Sequence, residues 1–329
     1  MKIRLPAFRQ NRSLFVLLIL ALALPALPLP SFILRLGTLI FIYASVVTSF
    51  NILAGYCGLI SVVQAGFFGV GAYTTALMSI HLHTSFLTGL VAGTLVTAIM
   101  SAVVGLATLK LKGRYLIMAT FGINEVINLV MLNSEFTGGP NGLPGVSPPS
   151  LFGFVFSSVP SLYYLNLAGL VLVTLIVAFL VNSPFGRSMV ALREDDLAAE
   201  AIGVNTAKTR LIAFTVAGAL AGLAGVFYAH NNLFVSYQTF TTDESFILLA
   251  MLVIGGLGSL PGPMLGVVVL LALPEALRGA AIYRYFLYGL VLLVVAPRWT
   301  GGLASIRWRK KSVVTARKST VARRGRQTA

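Results

Sequence analysis

Long apolar stretches without a single charged side chain constrain this sequence more than any other feature. Residues 86–109, 162–181 and 211–233 contain no Asp, Glu, Lys or Arg. A helix needs about 20 apolar residues to cross the hydrocarbon core of a bilayer. Only helices and closed barrels satisfy their backbone hydrogen bonds there, and these runs are continuous rather than alternating. The sequence therefore predicts an all-α, polytopic transmembrane helical bundle.

Composition supports this class. Only 10% of the 329 residues are charged and 57% are hydrophobic, whereas soluble domains carry about 25% charged residues. The apolar runs predict about ten spans, within a range of eight to ten. These predicted spans are 14–34, 37–55, 59–80, 86–109, 115–133, 162–181, 211–233, 245–259, 262–277 and 283–299.

The segment 245–277 is the least regular of these. Its two halves are short and are separated by "GGLGSLPGP", which predicts two short or re-entrant helices. A single bent helix is the alternative and would reduce the count to nine. A break at membrane depth must be buried in protein or line a cavity, so it is also a candidate pathway element. "GLGS" at 256–259 repeats "GLIS" at 58–61, a faint internal echo.

The basic residues set the orientation. Lys and Arg cluster at 2–12, at 110–114 and after Gly302, whereas 115–186 has neither. By the positive-inside rule the two termini are cytoplasmic and the loop 134–161 faces outward. We expect a multi-pass membrane protein with both termini in the cytoplasm.

Two domains follow from this arrangement. Residues 1–300 form a transmembrane domain with a cytoplasmic loop at 182–210, and 301–329 form a basic, disordered cytoplasmic tail. Such a tail lies against anionic lipid headgroups. Because no folded binding module accompanies it, no nucleic acid partner is predicted.

The loop 182–210 is an island of charge. It contains four of the nine acidic residues of the chain, and its composition predicts a short amphipathic helix that carries a small-residue patch. We interpret this helix as a docking surface for a cytoplasmic partner, the alternative being a solvated connecting loop. The predicted helix comprises Glu194, Asp195, Asp196, Leu197, Ala198, Ala199, Glu200, Ala201, Gly203 and Asn205.

Polar and small residues at membrane depth are candidates for the lining of a solute path. A carboxylate within a span is costly unless partnered, and it usually faces the bundle interior or a water-filled path. The alternative is a hydrogen-bonded contact between helices and, for the glycines, close helix packing. The candidates are Gln64, Gly66, Gly69, Asn124, Glu125 and Asn128.

The segment "FTGGPNGLPG" at 136–145 is rich in turn formers. It predicts an ordered outer loop suited to docking a carrier of solute, with Gly138, Gly139, Pro140, Asn141 and Gly142 as its candidate residues. His230, at the outer end of a predicted span, is expected at headgroup level.

Catalytic motifs are absent from the sequence. It contains no GxxxxGK[ST] phosphate loop, no HExxH and no GxSxG, so we predict no enzymatic activity, no cofactor and no metal site. A transporter or channel that works alone, carrying small polar solutes, fits this composition, and a membrane-embedded enzyme is a weaker alternative.

Five segments together resemble the permeases of branched-chain amino acid ABC importers, specifically the LivM-like subunit. They occur in the order of that family and cover most of residues 51–280. The segments are "NILAGYCGLISVVQAGFFGVGAY" (51–73), "LKGRYLIMATFGINEVINLV" (111–130), "FTGGPNGLPGV" (136–146), "FGRSMVALREDDLAAEAIGVN" (185–205) and "ESFILLAMLVIGGLGSLPGPMLG" (244–266).

The resemblance implies a bacterial-type inner membrane location. It also implies a heterodimer with a LivH-like permease, two cytoplasmic ATPase subunits and an extracytoplasmic substrate-binding protein. In such importers a cytoplasmic coupling helix, often marked EAA-x-x-x-G, contacts the ATPase. Here Ala198, Ala199 and Gly203 match that pattern, but Leu197 replaces its glutamate. A further departure near Leu59 and Gln64 leaves urea or short amides open as alternative substrates.

Overall fold

The computed structural model describes residues 21–22, 24–26, 30–151 and 153–276. The described residues exclude the predicted span 283–299, most of the predicted span 14–34, the N-terminus predicted to be cytoplasmic and the basic tail. Ten α-helices have both ends within them: α1 Ser31–Asn51, α2 Gln64–His81, α3 Phe86–Thr108, α4 Arg114–Asn133, α5 Val159–Asn182, α6 Pro184–Glu194, α7 Asp196–Ala201, α8 Thr206–Asn232, α9 Thr242–Gly255 and α10 Gly262–Ala276.

Five helices of the described part are long and apolar enough to cross a membrane. They are α1 with the π-helical turn that extends it (Ser31–Tyr56), α3, α4, α5 and α8. The helical membrane bundle is thus confirmed for these residues, whereas the total of about ten spans stays a prediction. Apolar side chains also cover the outside of the bundle, for example Val91, Leu95 and Ile99 of α3 and Phe179 of α5.

The prediction of an all-α fold omitted two small sheets. Strand β1 (Leu143–Pro144) pairs antiparallel with β4 (Phe234–Val235), and β2 (Ser150–Leu151) pairs antiparallel with β3 (Phe154–Val155). The β1–β4 pair fastens the outer loop to the end of α8. It joins segments that are about ninety residues apart in the sequence, so no local pattern reveals it.

Helices α1, α2 and α8 form the buried centre of the bundle, and glycines set the spacing between α2 and α8. A Cβ atom on Gly71 would overlap the carbonyl oxygen of Gly222, and one on Gly225 would overlap that of Phe68. Helix α3 packs on another face of α8, where a Cβ atom on Gly93 would lie 2.6 Å from a methyl carbon of Val226. Small residues let membrane helices approach closely, and here they produce a dense core.

Helix α2 begins inside the bundle rather than at the end of the bundle that is predicted to be cytoplasmic. Gln64, its first residue, donates from Nε2 to the carbonyl of Ala217 at 3.5 Å. Ala217 is eleven residues beyond the start of α8, which corresponds to about 16 Å along the helix axis. Residues 58–63, which begin with the left-handed Gly58 (φ 72°), are not helical, so the predicted span 59–80 starts five residues before the helix does.

Helices α9 and α10 divide the irregular segment 245–277 into two short helices, as predicted. They have 14 and 15 residues, about 21–23 Å each, and so fall short of the hydrocarbon thickness of about 30 Å. Glycines again allow close packing, since a Cβ atom on Gly266 would overlap the carbonyl oxygen of Met251.

Candidate functional site

The charged island folds into two helices, α6 and α7, instead of the single helix predicted. Asp195 separates them in an extended conformation (φ −161°). Its carboxylate then accepts hydrogen bonds from the backbone amides of Leu197 at 2.8 Å and Ala198 at 3.1 Å. This is an N-cap, which satisfies amides that a helix start leaves unpaired. The island is therefore an ordered element and not a solvated connecting loop.

Asp196 attaches the island to the membrane helices. Its Oδ2 lies 2.6 Å from Nζ of Lys112, in the α3–α4 turn, and also accepts from Nη2 of the buried Arg210 of α8. Arg210 donates from Nη1 to the carbonyl of Leu109 at 2.8 Å. Burial by itself would raise the pKa of Asp196, but hydrogen bonds and charge from Lys112 and Arg210 lower the pKa below its usual range. The two segments predicted to be cytoplasmic thus meet at this carboxylate.

We expect Asp196→Asn to lower the free energy of unfolding by about 1.5–3 kcal/mol, because it removes charged hydrogen bonds from the buried Arg210. A lowered folded-state pKa stabilises the protein fully above the ordinary aspartate pKa of about 3.9, and this stabilisation disappears as the pH falls through the folded value. Thermal unfolding of the two purified proteins checks this. The difference in stability between wild type and Asp196→Asn should be constant between about pH 5 and 8 and disappear in acid. A stability difference that persists at the lowest pH contradicts the ion-pair account.

The exposed side of α7 carries an apolar side chain, and so does the residue that follows its C-terminal end. Leu197 and Ile202 are 74% and 75% exposed, whereas Ala199 is 2% exposed and packs inward. The small-residue patch is consequently divided: Ala198 and Ala201 face outward and Ala199 does not. Leu197, at the position of the family's glutamate, lies on this exposed surface.

The other residues of the predicted docking helix are exposed or serve as local caps. Glu200 accepts a hydrogen bond from the Thr206 hydroxyl at 2.6 Å, and Asn205 caps α8 by accepting from the Lys208 amide at 2.9 Å. Gly203 has a left-handed backbone (φ 85°) and open space around it, so it ends α7. Glu194 is exposed at the end of α6.

The buried start of α2 is capped by side chains from other helices. Thr120 accepts from the Val62 amide at 3.0 Å, Ser245 from the Ala65 amide at 3.0 Å, and Asn124 from the Gly66 amide at 2.7 Å. A helix start leaves amides unpaired, and in lipid each would cost several kcal/mol. These contacts let the chain begin a helix at membrane depth.

The polar residues predicted at membrane depth extend this network. Asn124 donates to the Thr242 hydroxyl at 3.0 Å, which in turn donates to Glu125. Asn128 donates to the carbonyl of Tyr237 at 2.9 Å. The structure thus brings Asn124, Glu125 and Asn128 of α4 against the segment 237–242.

The remaining path candidates lie on α2. Gln64 donates from Nε2 to the Ser49 hydroxyl at 2.8 Å, and its Oε1 is buried without a hydrogen-bond partner among the described residues. Gly66 lies against Asn124, and Gly69 lies against Phe240. All six candidates therefore make contacts between separate segments of the chain. Their place along the solute path stays a prediction. Sequence reasoning missed the capping residues Thr120 and Ser245. It also missed Thr242, which links Asn124 and Glu125.

The outer loop is ordered, and its glycines are required by its backbone. Gly138, Gly139 and Gly142 have φ values of 75°, 51° and 69°. A Cβ atom on Gly142 would lie 2.5 Å from the carbonyl oxygen of Val235. Pro140 and Asn141 are exposed at its tip.

His230, in the last turn of α8, is buried within the protein, and its position at headgroup level stays a prediction. It donates from Nδ1 to the Ser147 carbonyl at 2.7 Å, and its Nε2 lies 3.0 Å from Oγ1 of Thr75. The side chain therefore holds the outer loop to α2 and α8, a role that required the tertiary contacts to identify.

Comparison with known protein families identifies the family to which this chain belongs. A family model described as "Branched-chain amino acid transport system / permease component" matches residues 32–296. The chain belongs to this family. The match includes the five long apolar helices, the charged island at 182–210 and the segments 51–59 and 255–260, where membrane helices end. Members are described as permease components of transport systems.

Individual relatives agree with the assignment. The high-affinity branched-chain amino acid transport system permease protein LivM of Escherichia coli K12 is 33% identical over 313 residues, covering 87% of this chain and 73% of the relative. LivM of Salmonella typhimurium matches with the same identity and coverage. The autoinducer 2 import system permease protein LsrC of Escherichia coli O9:H4 is 28% identical, covering 79% of this chain and 72% of LsrC. No solved structure matches this chain.

Proposed function

We propose that this chain is the LivM-like permease subunit of an ABC importer that carries branched-chain or related amino acids across the inner membrane. The observation that carries the proposal is the family match over residues 32–296. Its proposed partners are a LivH-like permease subunit, two cytoplasmic ATPase subunits and an extracytoplasmic substrate-binding protein. The ATPases would provide the phosphate loop that this sequence lacks.

The cytoplasmic end of the molecule supports this proposal. Helices α6 and α7 are held to Lys112 and Arg210 through Asp196, while Leu197 and Ile202 are directed outward. A partner that binds this apolar face and moves it would pull on α8 and on the α3–α4 turn. Because α8 packs against α1, α2 and α3, such a displacement would reach the centre of the bundle.

The opposite end supports the proposed docking of a substrate-binding protein. The outer loop is ordered by its glycines and by pairing between β1 and β4, so it presents its exposed tip in a defined position. Between the two ends, the proposed path passes the start of α2. Our candidates for the residues that surround this path are Gln64, Gly66, Gly69, Asn124, Glu125 and Asn128.

The substrate is the finer part of the proposal and has its own test. The complete importer is reconstituted in proteoliposomes with its substrate-binding protein, and uptake of radiolabelled leucine is measured with unlabelled competitors. We expect isoleucine and valine to reduce leucine uptake, and urea, acetamide and autoinducer 2 to leave it unchanged. Uptake of urea or autoinducer 2 in place of leucine would overturn the assignment to amino acids while leaving the permease assignment intact.

A further inference from the structure

The two segments that interrupt the membrane helices contact each other. We call residues 51–59 and 255–260 together the inner junction. Asn51 donates from Nδ2 to the Ser259 carbonyl at 2.8 Å and accepts at Oδ1 from the Gly258 amide at 2.9 Å. The backbones are so close that a Cβ atom on Gly55 would lie 2.6 Å from the Gly258 nitrogen. Residues 58–59 of "GLIS" and residues 256–259 of "GLGS" fall within this junction.

Arg193 reaches this junction from the last turn of α6. Its Nη1 donates to the carbonyl of Gly55 at 2.6 Å. A Cβ atom on Gly58 would lie 3.0 Å from Cγ of Arg193, and one on Gly258 would lie 2.9 Å from its Nη1. Both glycines also have a left-handed backbone with φ 72°. One side chain of the cytoplasmic loop therefore lies against both halves of the junction.

The chemistry of this contact suits a mechanical connection. Gly55 belongs to the π-helical turn that ends α1, and the carbonyls of a final helical turn lack partners within the helix. A guanidinium is a charged donor, and its hydrogen bonds are roughly twice as strong as those between neutral groups. The junction in turn connects α1 to α2 and α9 to α10. A displacement of Arg193 would therefore act on both helix pairs at once.

We infer that Arg193 is a positioning residue that connects the ATPase-docking loop to the inner junction and transmits the movement of that loop to both helix pairs. The inference rests on the proposed function for the origin of the movement. It adds a second point, besides α8, at which the movement enters the bundle. The ion pairs of Asp196 hold α7 to α8 and to the α3–α4 turn, whereas Arg193 provides a separate connection to α1 and α9.

The first measurement is the number of leucine molecules transported per ATP hydrolysed by the reconstituted importer. We compare wild type with Arg193→Met, which keeps an apolar stem, and Arg193→Lys, which restores a charged donor. We expect Arg193→Met to hydrolyse ATP but to transport at least about tenfold less leucine per ATP, the effect of losing one charged hydrogen bond. Arg193→Lys should recover most of this ratio. Lys110→Met, which removes an exposed charge from the neighbouring turn, should leave it unchanged.

The second measurement needs no transport. Cys57 is buried within the inner junction and is the only cysteine of the chain. Its rate of modification by N-ethylmaleimide, followed by mass spectrometry of its peptide in the assembled importer, therefore reports opening of the junction. We expect Arg193→Met to raise this rate at least about tenfold, by the same loss of a charged hydrogen bond, and Arg193→Lys to keep it near the wild-type value.

The two measurements distinguish the inference from the proposed function. Equal Cys57 modification rates in wild type and in Arg193→Met would overturn the role of Arg193, whatever the transport result. A wild-type importer that fails to move any amino acid, but whose Cys57 modification depends on Arg193, would contradict the proposed function and leave the connection standing. Only the assembled fraction from size-exclusion chromatography is analysed, so a misfolded variant does not contribute to either rate.

Discussion

Replacing Leu197 and Ile202 together by aspartate is expected to abolish ATP-driven uptake while the permease still inserts into the membrane. These two side chains are 74% and 75% exposed, so the substitutions disturb little internal packing. Burying such a side chain against a partner contributes about 1.5–3 kcal/mol, and losing two weakens ATPase docking by roughly 100-fold or more. Co-purification of the ATPases with the tagged permease, together with uptake in proteoliposomes, measures both effects.

The conservative pair Leu197→Met and Ile202→Val is the matched control, because it keeps an apolar face of similar size. We expect it to retain docking and most of the uptake. Full uptake by the double aspartate variant would exclude this face as the ATPase contact. A bulky residue at Ala199, by contrast, should first lower the thermal stability, since Ala199 faces the protein interior and not the partner.

The largest effect on folding is expected from Gly71→Val. The new Cβ atom would overlap the carbonyl oxygen of Gly222 on α8, and backbone cannot move aside as a flexible side chain would. Overpacking typically costs about 1–3 kcal/mol and occasionally more, and a clash between two central helices lies at the upper end of that range. We expect little monodisperse protein after detergent extraction, as measured by fluorescence-detected size-exclusion chromatography.

Gly122→Val provides the control for the same substitution in a membrane helix. Gly122 is on α4, is exposed, and has no heavy atom within 4 Å of its Cβ position apart from its chain neighbours and its own helix. The variant should be extracted in nearly wild-type amounts. Equal yields for the two variants would show that the close contact between α2 and α8 does not limit stability.

The sequence predicted the helical membrane bundle and most of its long helices, because twenty uncharged residues in succession have few alternatives. It did not predict where α2 begins. The amides at that point are satisfied by Thr120, Asn124 and Ser245, which are between 58 and 180 residues away along the chain. Such capping depends on the tertiary arrangement, and no local pattern encodes it.

The candidate site, too, was predicted only in part from the sequence. The density of charge located the loop that we propose for docking, but it could not tell the inward residues from the outward ones. Asp196 forms its ion pair with Lys112, which comes from another loop, and Ala199 is turned toward the protein. The role of Arg193 likewise depends on Gly55, 138 residues earlier in the chain. The weak echo between "GLIS" and "GLGS" was the single local signal of the junction that Arg193 contacts.

ATP-dependent leucine uptake tests the central claim most directly. Proteoliposomes contain this chain, its LivH-like partner and the substrate-binding protein, and hold either active ATPases, ATPases with the phosphate-loop lysine replaced, or none. We predict uptake only with active ATPases and ATP inside the vesicles. Equal uptake without ATPases, or uptake driven by an ion gradient alone, would contradict this account and identify the chain as part of a transporter that needs no ATPase.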